Sequence, residues 1–186
     1  VRCLIHPKNS GAGIPDGGLF TPDQLKKHDE AEAFGDLIPA RGAIEVKSVG
    51  EDIADFADSE QVNKYLARYG QVLLTNYREF LLVKRVSGKA QKLECFSLAK
   101  NEKEFWAAAA HPRKTAAELG ERLLEYLKRV LLHNAPLNNP KDVAFFLASY
   151  ARDARARVEL AGDFPALNAV RAALEEALGM QFEAAK

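Results

Sequence analysis

Residues 42–48 (GAIEVKS) constrain the fold of this chain more than any other stretch. Their apolar side chains, among them the β-branched Ile44 and Val46, predict a buried β-strand. Because side chains alternate between the two faces of a strand, Glu45 and Lys47 lie on one face, and Ile44 and Val46 point the other way into a core. Opposite charges on an apolar strand are costly unless they are paired or bound to something. We therefore expect a packed sheet that carries a functional site.

A glycine-rich segment lies upstream, in residues 11–20 (GAGIPDGGLF). Its glycines indicate tight backbone, and Pro15 restricts the approach to Asp16. We predict a short strand or hairpin edge that presents Asp16. A second Pro-Asp pair contains Asp23, which we interpret as a first-turn acid of a helix around residues 23–34.

A helix is predicted downstream, over residues 59–69, and it ends at Gly70. Gln61 and Tyr65 are four positions apart, so they share one face of this helix. The acidic residues 51–60 contain no basic side chain, and we interpret them as a solvated loop that also caps the helix. A flap beside a cation site is the alternative for this loop.

Each of these signals also has a simpler interpretation when it is taken alone. Asp residues are favoured in turns beside glycine, which would explain Asp16. Glu45 and Lys47 would form an ion pair on an exposed sheet face. Gln61 and Tyr65 would be helix surface and helix core. The occurrence of all of them in one order is what favours a site.

The remaining pattern predicts an α/β fold. Further strands are expected at residues 1–5, 71–76, 80–86 and 92–98. The helix between the strand of Glu45 and the strand at 71 is a crossover connection, which predicts that these two strands are parallel. We therefore expect a core of residues 1–110 with a mixed central sheet flanked by helices. Residues 111–186 are predicted to form a helical extension without a catalytic constellation.

Composition limits the function without identifying it. The 186 residues carry a net charge of zero, so composition alone does not support nucleic-acid binding, and any positive surface is local. Cys3 and Cys95 lack metal-ligand spacing and predict reduced, partly buried thiols in a cytoplasmic protein. No stretch has the length of a transmembrane helix, so no membrane association is predicted. Because the chain starts inside a predicted strand, we expect it to be part of a longer protein.

The order Asp16, then Glu45-x-Lys47, then Gln61-x-x-x-Tyr65 resembles that of the PD-(D/E)xK nuclease superfamily. The Gln-x-x-x-Tyr element is similar to that of its helicase-associated branch. The segments GIPDGGLFTPDQ, ARGAIEVKS, QVNKYLARYGQVLLTNYREFLLV and KLECFSLA resemble the N-terminal region of single-chain restriction-modification proteins, of type IIG or type ISP-like. In those proteins a nuclease domain precedes an N6-adenine DNA methyltransferase. The resemblance covers roughly residues 1–106, and the helical tail more loosely.

The resemblance implies a restriction-endonuclease-like core and a Mg²⁺ site, in which Mn²⁺ is a substitute. Asp16 and Glu45 would supply hard oxygen ligands, with the backbone carbonyl of Val46 as a third. Lys47 would orient or deprotonate the attacking water and offset phosphate charge. Gln61 would position water or phosphate.

Tyr65 would bind the substrate, by bracing this geometry or contacting the DNA backbone. The function that this resemblance implies is a Mg²⁺-dependent endonuclease acting on double-stranded DNA. Its partners would be the methyltransferase and target-recognition domains of the same parent chain, and double-strand cleavage would call for a dimer. The alternative is a catalytically inactive nuclease-fold scaffold that docks DNA or the methyltransferase domain.

Overall fold

The structure, a computed structural model, describes residues 2–5, 12–21, 23–24, 38–133, 135, 137, 139–161 and 165–181. Most of the helix predicted around residues 23–34 lies outside them. The chain divides into two compact units, residues 1–135 and 136–186. None of the helices in the described part of the chain combines the length and the hydrophobicity needed to span a bilayer.

A mixed β-sheet forms the centre of the first unit. Its described strands are β1 (Arg2–Ile5), β2 (Gly17–Phe20), β3 (Ala43–Val46), β4 (Gln71–Thr75), β5 (Glu79–Val86) and β6 (Lys89–Ser97). They are ordered in space as they are in the chain, and neighbouring strands are antiparallel except for β3 and β4. The α/β fold with a mixed sheet and the parallel pair are therefore both confirmed.

The described residues of this unit form the helices α1 (Ile53–Phe56), α2 (Glu60–Tyr69), α3 (Glu102–Ala109) and α4 (Pro112–Leu132). Ser59 caps α2, because its hydroxyl accepts a hydrogen bond from the backbone N–H of Val62. Gly70 ends α2 with a φ of 78°, a conformation that glycine adopts without strain. The acidic segment was predicted to be a loop, but it contains the short helix α1, whose cap is Asp52.

Helices cover both faces of the sheet. On one face, α1 and α2 pack on the strands through a cluster that includes Val62, Tyr65 and Leu66. On the other face, α4 packs through Tyr126 and Val130. Strand β3 therefore lies between the two layers of helices: Ala43 belongs to the cluster of α1 and α2, and Ile44 packs against the cluster of α4.

The first compact unit extends past residue 110, where we expected the core to end. Helix α4 belongs to this unit because its residues complete the core of the sheet. Tyr126 is buried, and its hydroxyl donates a hydrogen bond of 2.9 Å to the backbone carbonyl of Phe80 on β5. Arg129, also buried, pairs with Glu94 on β6 at 2.9 Å.

Cys95 was predicted to be partly buried, but it is exposed, and the side chain of Cys3 lies outside the described residues. It lies on β6, an edge strand of the sheet, which has fewer covering neighbours than the central strands.

The second unit contains α5 (Pro140–Ala161) and α6 (Pro165–Leu178). The helical structure predicted for this part of the chain is present, and its helices carry ion pairs one turn apart. These pairs are Arg155 with Glu159, Arg157 with Asp153, and Arg171 with Glu175. Such exposed pairs contribute little to stability, and they keep a helix surface hydrated.

Candidate active site

The glycine-rich segment brings Asp16 to strand β3. Asp16 immediately precedes β2, and the antiparallel pairing of Gly17 with Ile44 sets β2 against β3. The Oδ2 atom of Asp16 accepts a hydrogen bond of 2.7 Å from the backbone N–H of Val46. Asp16 is thus bonded to the strand that carries Glu45 and Lys47, although 30 positions separate it from Val46 in the sequence.

Glu45 and Lys47 form an ion pair on a covered face of the sheet. The Nζ atom of Lys47 lies 2.8 Å from Oε1 of Glu45, and the two side chains are 16% and 5% exposed, respectively. The ammonium also lies 4.8 Å from the centre of the Phe56 ring on α1, a cation–π contact. The simpler interpretation is therefore right about the ion pair and wrong about the sheet face, which is covered and not exposed.

Helix α2 supplies the next two groups. The amide Nε2 of Gln61 donates a hydrogen bond of 3.0 Å to Oε1 of Glu45 and one of 3.1 Å to the hydroxyl of Tyr65. The same oxygen of Glu45 accepts from Lys47, so two donors from different elements converge on one carboxylate oxygen. The helical spacing of four positions places Gln61 and Tyr65 together, and the crossover places both over β3.

Tyr65 is held from two sides. Its ring packs against Tyr69 at a centroid distance of 6.0 Å, and it is almost fully buried. On the other side lies Gly13, where an added Cβ atom would come within 3.5 Å of the ring and the hydroxyl of Tyr65. Gly13 has a φ of 101°, which side-chain-bearing residues rarely adopt. Burial raises the pKa of Tyr65, opposed by the hydrogen bond from Gln61, so the phenol stays neutral.

Burial also governs the ionisation of Glu45. Loss of hydration raises the pKa of Glu45, and the hydrogen bond from Lys47 opposes this effect. The negative charge of Asp16, which is bonded to the neighbouring residue Val46, raises the pKa of Glu45 further. The site therefore holds two close carboxylates and one ammonium in a region with little access to water.

The donor set fits a small divalent cation. Asp16 and Glu45 offer hard oxygen ligands, and a cation between them would relieve the repulsion that raises the pKa of Glu45. In the described residues, no cluster of three or more acidic, histidine or cysteine side chains forms a ready metal site. Further ligands would therefore be a backbone carbonyl, for which Val46 was predicted, and water, as Mg²⁺ commonly retains.

Two residues of the site were missed from the sequence. Phe56 supports Lys47, and the apolar spacing of Ile53 and Phe56 within the acidic segment was the signal for α1. Thr75 holds the main chain of Lys47, because its carbonyl accepts a hydrogen bond of 2.7 Å from the Lys47 N–H. No local pattern marks Thr75, since this contact depends on the register of the parallel strands.

The structure brings together every side chain predicted for the site: Asp16, Glu45, Lys47, Gln61 and Tyr65. Such an arrangement can bind a cation, hold a water molecule near an ammonium and present hydrogen-bond donors to an anionic substrate. No protein-family model, curated protein or solved structure matches this chain. The functional roles of these residues therefore stay predictions, which the geometry of the site supports.

Proposed function

We propose that this chain is a divalent-cation-dependent deoxyribonuclease, the PD-(D/E)xK cleavage module of a restriction-modification enzyme. The observation that supports this proposal best is the convergence of two donors on Oε1 of Glu45. Lys47 reaches it along the same strand and Gln61 reaches it from helix α2, while Asp16 is bonded to the residue between Glu45 and Lys47. A purely structural ion pair would not need a second carboxylate and an amide at the same point.

Hydrolysis of a phosphodiester requires an oriented water, an offset for the phosphate charge and a stabilised leaving oxygen. We propose that Lys47 orients the water and offsets the phosphate charge, because its ammonium lies beside Glu45 and is still partly accessible. Gln61 can position water or a phosphate oxygen, since an amide donates and accepts hydrogen bonds. Tyr65 fixes the orientation of Gln61 through the bond between them, and because its side chain is almost fully buried it acts through Gln61 and not by direct contact with DNA.

Mg²⁺, with Mn²⁺ as a substitute, is the cofactor that we propose, held by Asp16, Glu45 and the carbonyl of Val46. When bound, the cation would lower the pKa of water and offset the negative charge that develops on the phosphate. The buried Glu45 carboxylate suits this role, because burial and the charge of Asp16 both raise its pKa and a bound cation would oppose both effects. The short bond from Val46 holds Asp16 in a fixed place beside it.

Nicking of supercoiled plasmid DNA by the full chain, with Mg²⁺ or Mn²⁺ present, tests the proposal. We expect Lys47→Ala and removal of divalent cations with EDTA to abolish nicking. Lys64→Ala is the matched control, because Lys64 is a 59% exposed lysine on the same helix as Gln61 and pairs with Glu60 on the surface. Circular dichroism establishes that each variant is folded. Undiminished nicking by a folded Lys47→Ala variant would refute this mechanism.

Calorimetric titration of Mg²⁺ or Mn²⁺ tests the cation site separately from cleavage. We expect binding by the wild-type chain and its loss in Asp16→Ala, since Asp16 is one of only two proposed side-chain ligands. Asp58→Ala is the control, because Asp58 is an exposed acid outside the site. Equal binding by wild type and Asp16→Ala would exclude the proposed ligand set. Repeating the titration with DNA present tests whether the substrate completes the coordination.

One observation favours the second candidate, a catalytically inactive scaffold of the same fold. Oε1 of Glu45 is already satisfied by Lys47 and Gln61, so the pair is compensated without a ligand. A scaffold would bind no divalent cation at Asp16, and nicking would be absent in wild type and in Lys47→Ala alike.

The substrate, the partner domains and the location that we propose follow from the resemblance to restriction-modification proteins. The substrate is double-stranded DNA, and the target sequence is read by a target-recognition domain of the same parent chain, next to its methyltransferase. Cleavage of both strands requires two such sites, which a dimer supplies. We propose the cytoplasm as its location.

A further inference from the structure

The turn between β4 and β5 holds a tyrosine in a conformation that tyrosine rarely adopts. Tyr77 has a φ of 65°, in the left-handed region, and its side chain is 54% exposed. A bulky residue there is strained, whereas glycine would not be. Nothing in the local fold favours tyrosine at this position, since an exposed ring contributes little to packing.

The neighbouring side chains impose this conformation. The buried Asn76 accepts hydrogen bonds from the N–H groups of Arg78 and Glu79, at 3.1 and 2.7 Å. The hydroxyl of Thr75 accepts a bond from the Tyr77 N–H at 2.9 Å and donates one to the carbonyl of Glu79 at 2.8 Å. The hydrogen bonds of Thr75 and Asn76 therefore fix the conformation of this turn, and the side chain of Tyr77 is exposed to solvent. Strain that is maintained in this way is concentrated at functional sites.

Tyr77 lies at the same end of the sheet as Lys47 of the candidate active site. Strands β3 and β4 are parallel, so Lys47 and Tyr77 follow the carboxyl ends of adjacent strands. The Lys47 N–H bonds to the Thr75 carbonyl, two residues before Tyr77. The loop after β3 is tied to the same turn, because the carbonyl of Glu51 accepts bonds from the side chains of Asn76 and Arg78.

We propose that Tyr77 contacts the sugar–phosphate backbone of duplex DNA beside the phosphodiester held at Asp16, Glu45 and Lys47. Its hydroxyl donates a hydrogen bond to a flanking phosphate, and its ring packs on the adjoining sugar. The contact rests on the proposed nuclease function and adds a substrate-positioning residue to that site. Because tyrosine is neutral, this contact strengthens DNA binding without releasing counterions.

The test compares Tyr77→Gly with Ser87→Gly in the full chain. Ser87 is the matched control, since it is also exposed, has a φ of 50° and lies in a sheet turn. That turn joins β5 to β6 and lies at the opposite end of β5, about 25 Å away for a strand of eight residues. Affinity is measured by fluorescence anisotropy with a labelled random-sequence duplex, with Ca²⁺ in place of Mg²⁺. The melting temperature is measured on the same samples.

We expect Tyr77→Gly to weaken duplex binding about tenfold. The salt dependence of binding should not change, and the melting temperature should rise by about 2–4 °C as the backbone strain is relieved. Ser87→Gly should raise the melting temperature similarly and leave affinity unchanged.

Three results would overturn the proposal: unchanged affinity in Tyr77→Gly, a melting temperature that falls together with affinity, or a wild-type chain that binds no duplex. Failure of the proposed nuclease function is distinguishable, because a chain that binds the duplex but never nicks plasmid DNA with Mg²⁺ refutes hydrolysis alone.

Discussion

The folding stability of a variant without the Lys47 ammonium tests whether the charges of the site interact as described. In Lys47→Met the stem of the side chain is retained and its charge is lost. At the observed 2.8 Å and an effective dielectric constant near 20, the gross attraction to Glu45 is about 6 kcal/mol. Loss of hydration of two buried charges offsets much of this value, so the pair as a whole contributes little net stability.

Removing one partner is different, because Glu45 then stays buried without its counter-charge. Breaking a buried pair costs about 3–5 kcal/mol, and we expect the lower end because the Lys47 side chain is partly accessible to water. A loss of about 3 kcal/mol corresponds to a fall in melting temperature of roughly 6–12 °C for a chain of this size. Lys64→Met removes an exposed lysine and should change the melting temperature little.

The pH dependence of this destabilisation tests whether the loss of the Lys47 charge is its cause. Burial raises the pKa of Glu45, and loss of Lys47 removes the group that opposes that rise. A carboxyl group with a raised pKa in the folded state contributes stability below its unfolded pKa, near 4.3, and loses it as the pH rises through the folded pKa. The destabilisation by Lys47→Met should therefore be largest near neutral pH and shrink as the pH falls towards the unfolded pKa, near 4.3.

Urea unfolding followed by tryptophan fluorescence measures this effect, because the single tryptophan, Trp106, lies in the first unit. The double variant Lys47→Met/Glu45→Gln should recover most of the lost stability, since it leaves no buried charge unpaired. A cost that is independent of pH and is not recovered in the double variant would refute the electrostatic reasoning. Lys47 would then stabilise the fold mainly through its packing on Phe56.

Three further predictions concern the framework around the site. Tyr126→Phe should lower the free energy of unfolding by about 1 kcal/mol, because it removes the hydrogen bond to the Phe80 carbonyl; an unchanged urea midpoint would contradict this. Gly42→Ala should cost at least about 2 kcal/mol, since φ is 105° and the new Cβ would lie 2.6 Å from the carbonyl oxygen of Gln71; a thermal melt equal to that of wild type would exclude that clash. Asn76→Ala should cost about 3 kcal/mol and increase amide exchange in the β4–β5 turn, because three hydrogen bonds of a buried side chain are lost; slow exchange there would show that the turn forms without them.

Much of the site could be predicted from local patterns. The alternation in residues 42–48 indicated that Glu45 and Lys47 share a face, and the helical spacing indicated the same for Gln61 and Tyr65. Gly70 marked the end of α2 because a left-handed residue commonly terminates a helix. These predictions succeeded because each depends on backbone geometry within a few residues.

Other features could not be predicted in this way. The pattern of α4 shows an amphipathic helix but not its position against β5 and β6, so the extent of the first unit was not predictable. The contact between Phe56 and Lys47 depends on a helix of only four residues, too short for a reliable periodic signal. The exposure of Cys95 depends on the edge position of β6 in the assembled sheet.

The sequence by itself determined the chemical groups, their order along the chain and the alternation of strands and helices that makes an α/β fold. Local rules of spacing and capping are sufficient for that, because they act over one or two turns of backbone. Only the tertiary structure decided that Glu45 is buried and that Lys47 and Gln61 share one of its oxygens. It also decided that Asp16 bonds to Val46 across 30 positions. These contacts arise from the pairing of β2, β3 and β4 and from the packing of α2, and no local pattern encodes the register in which distant segments meet.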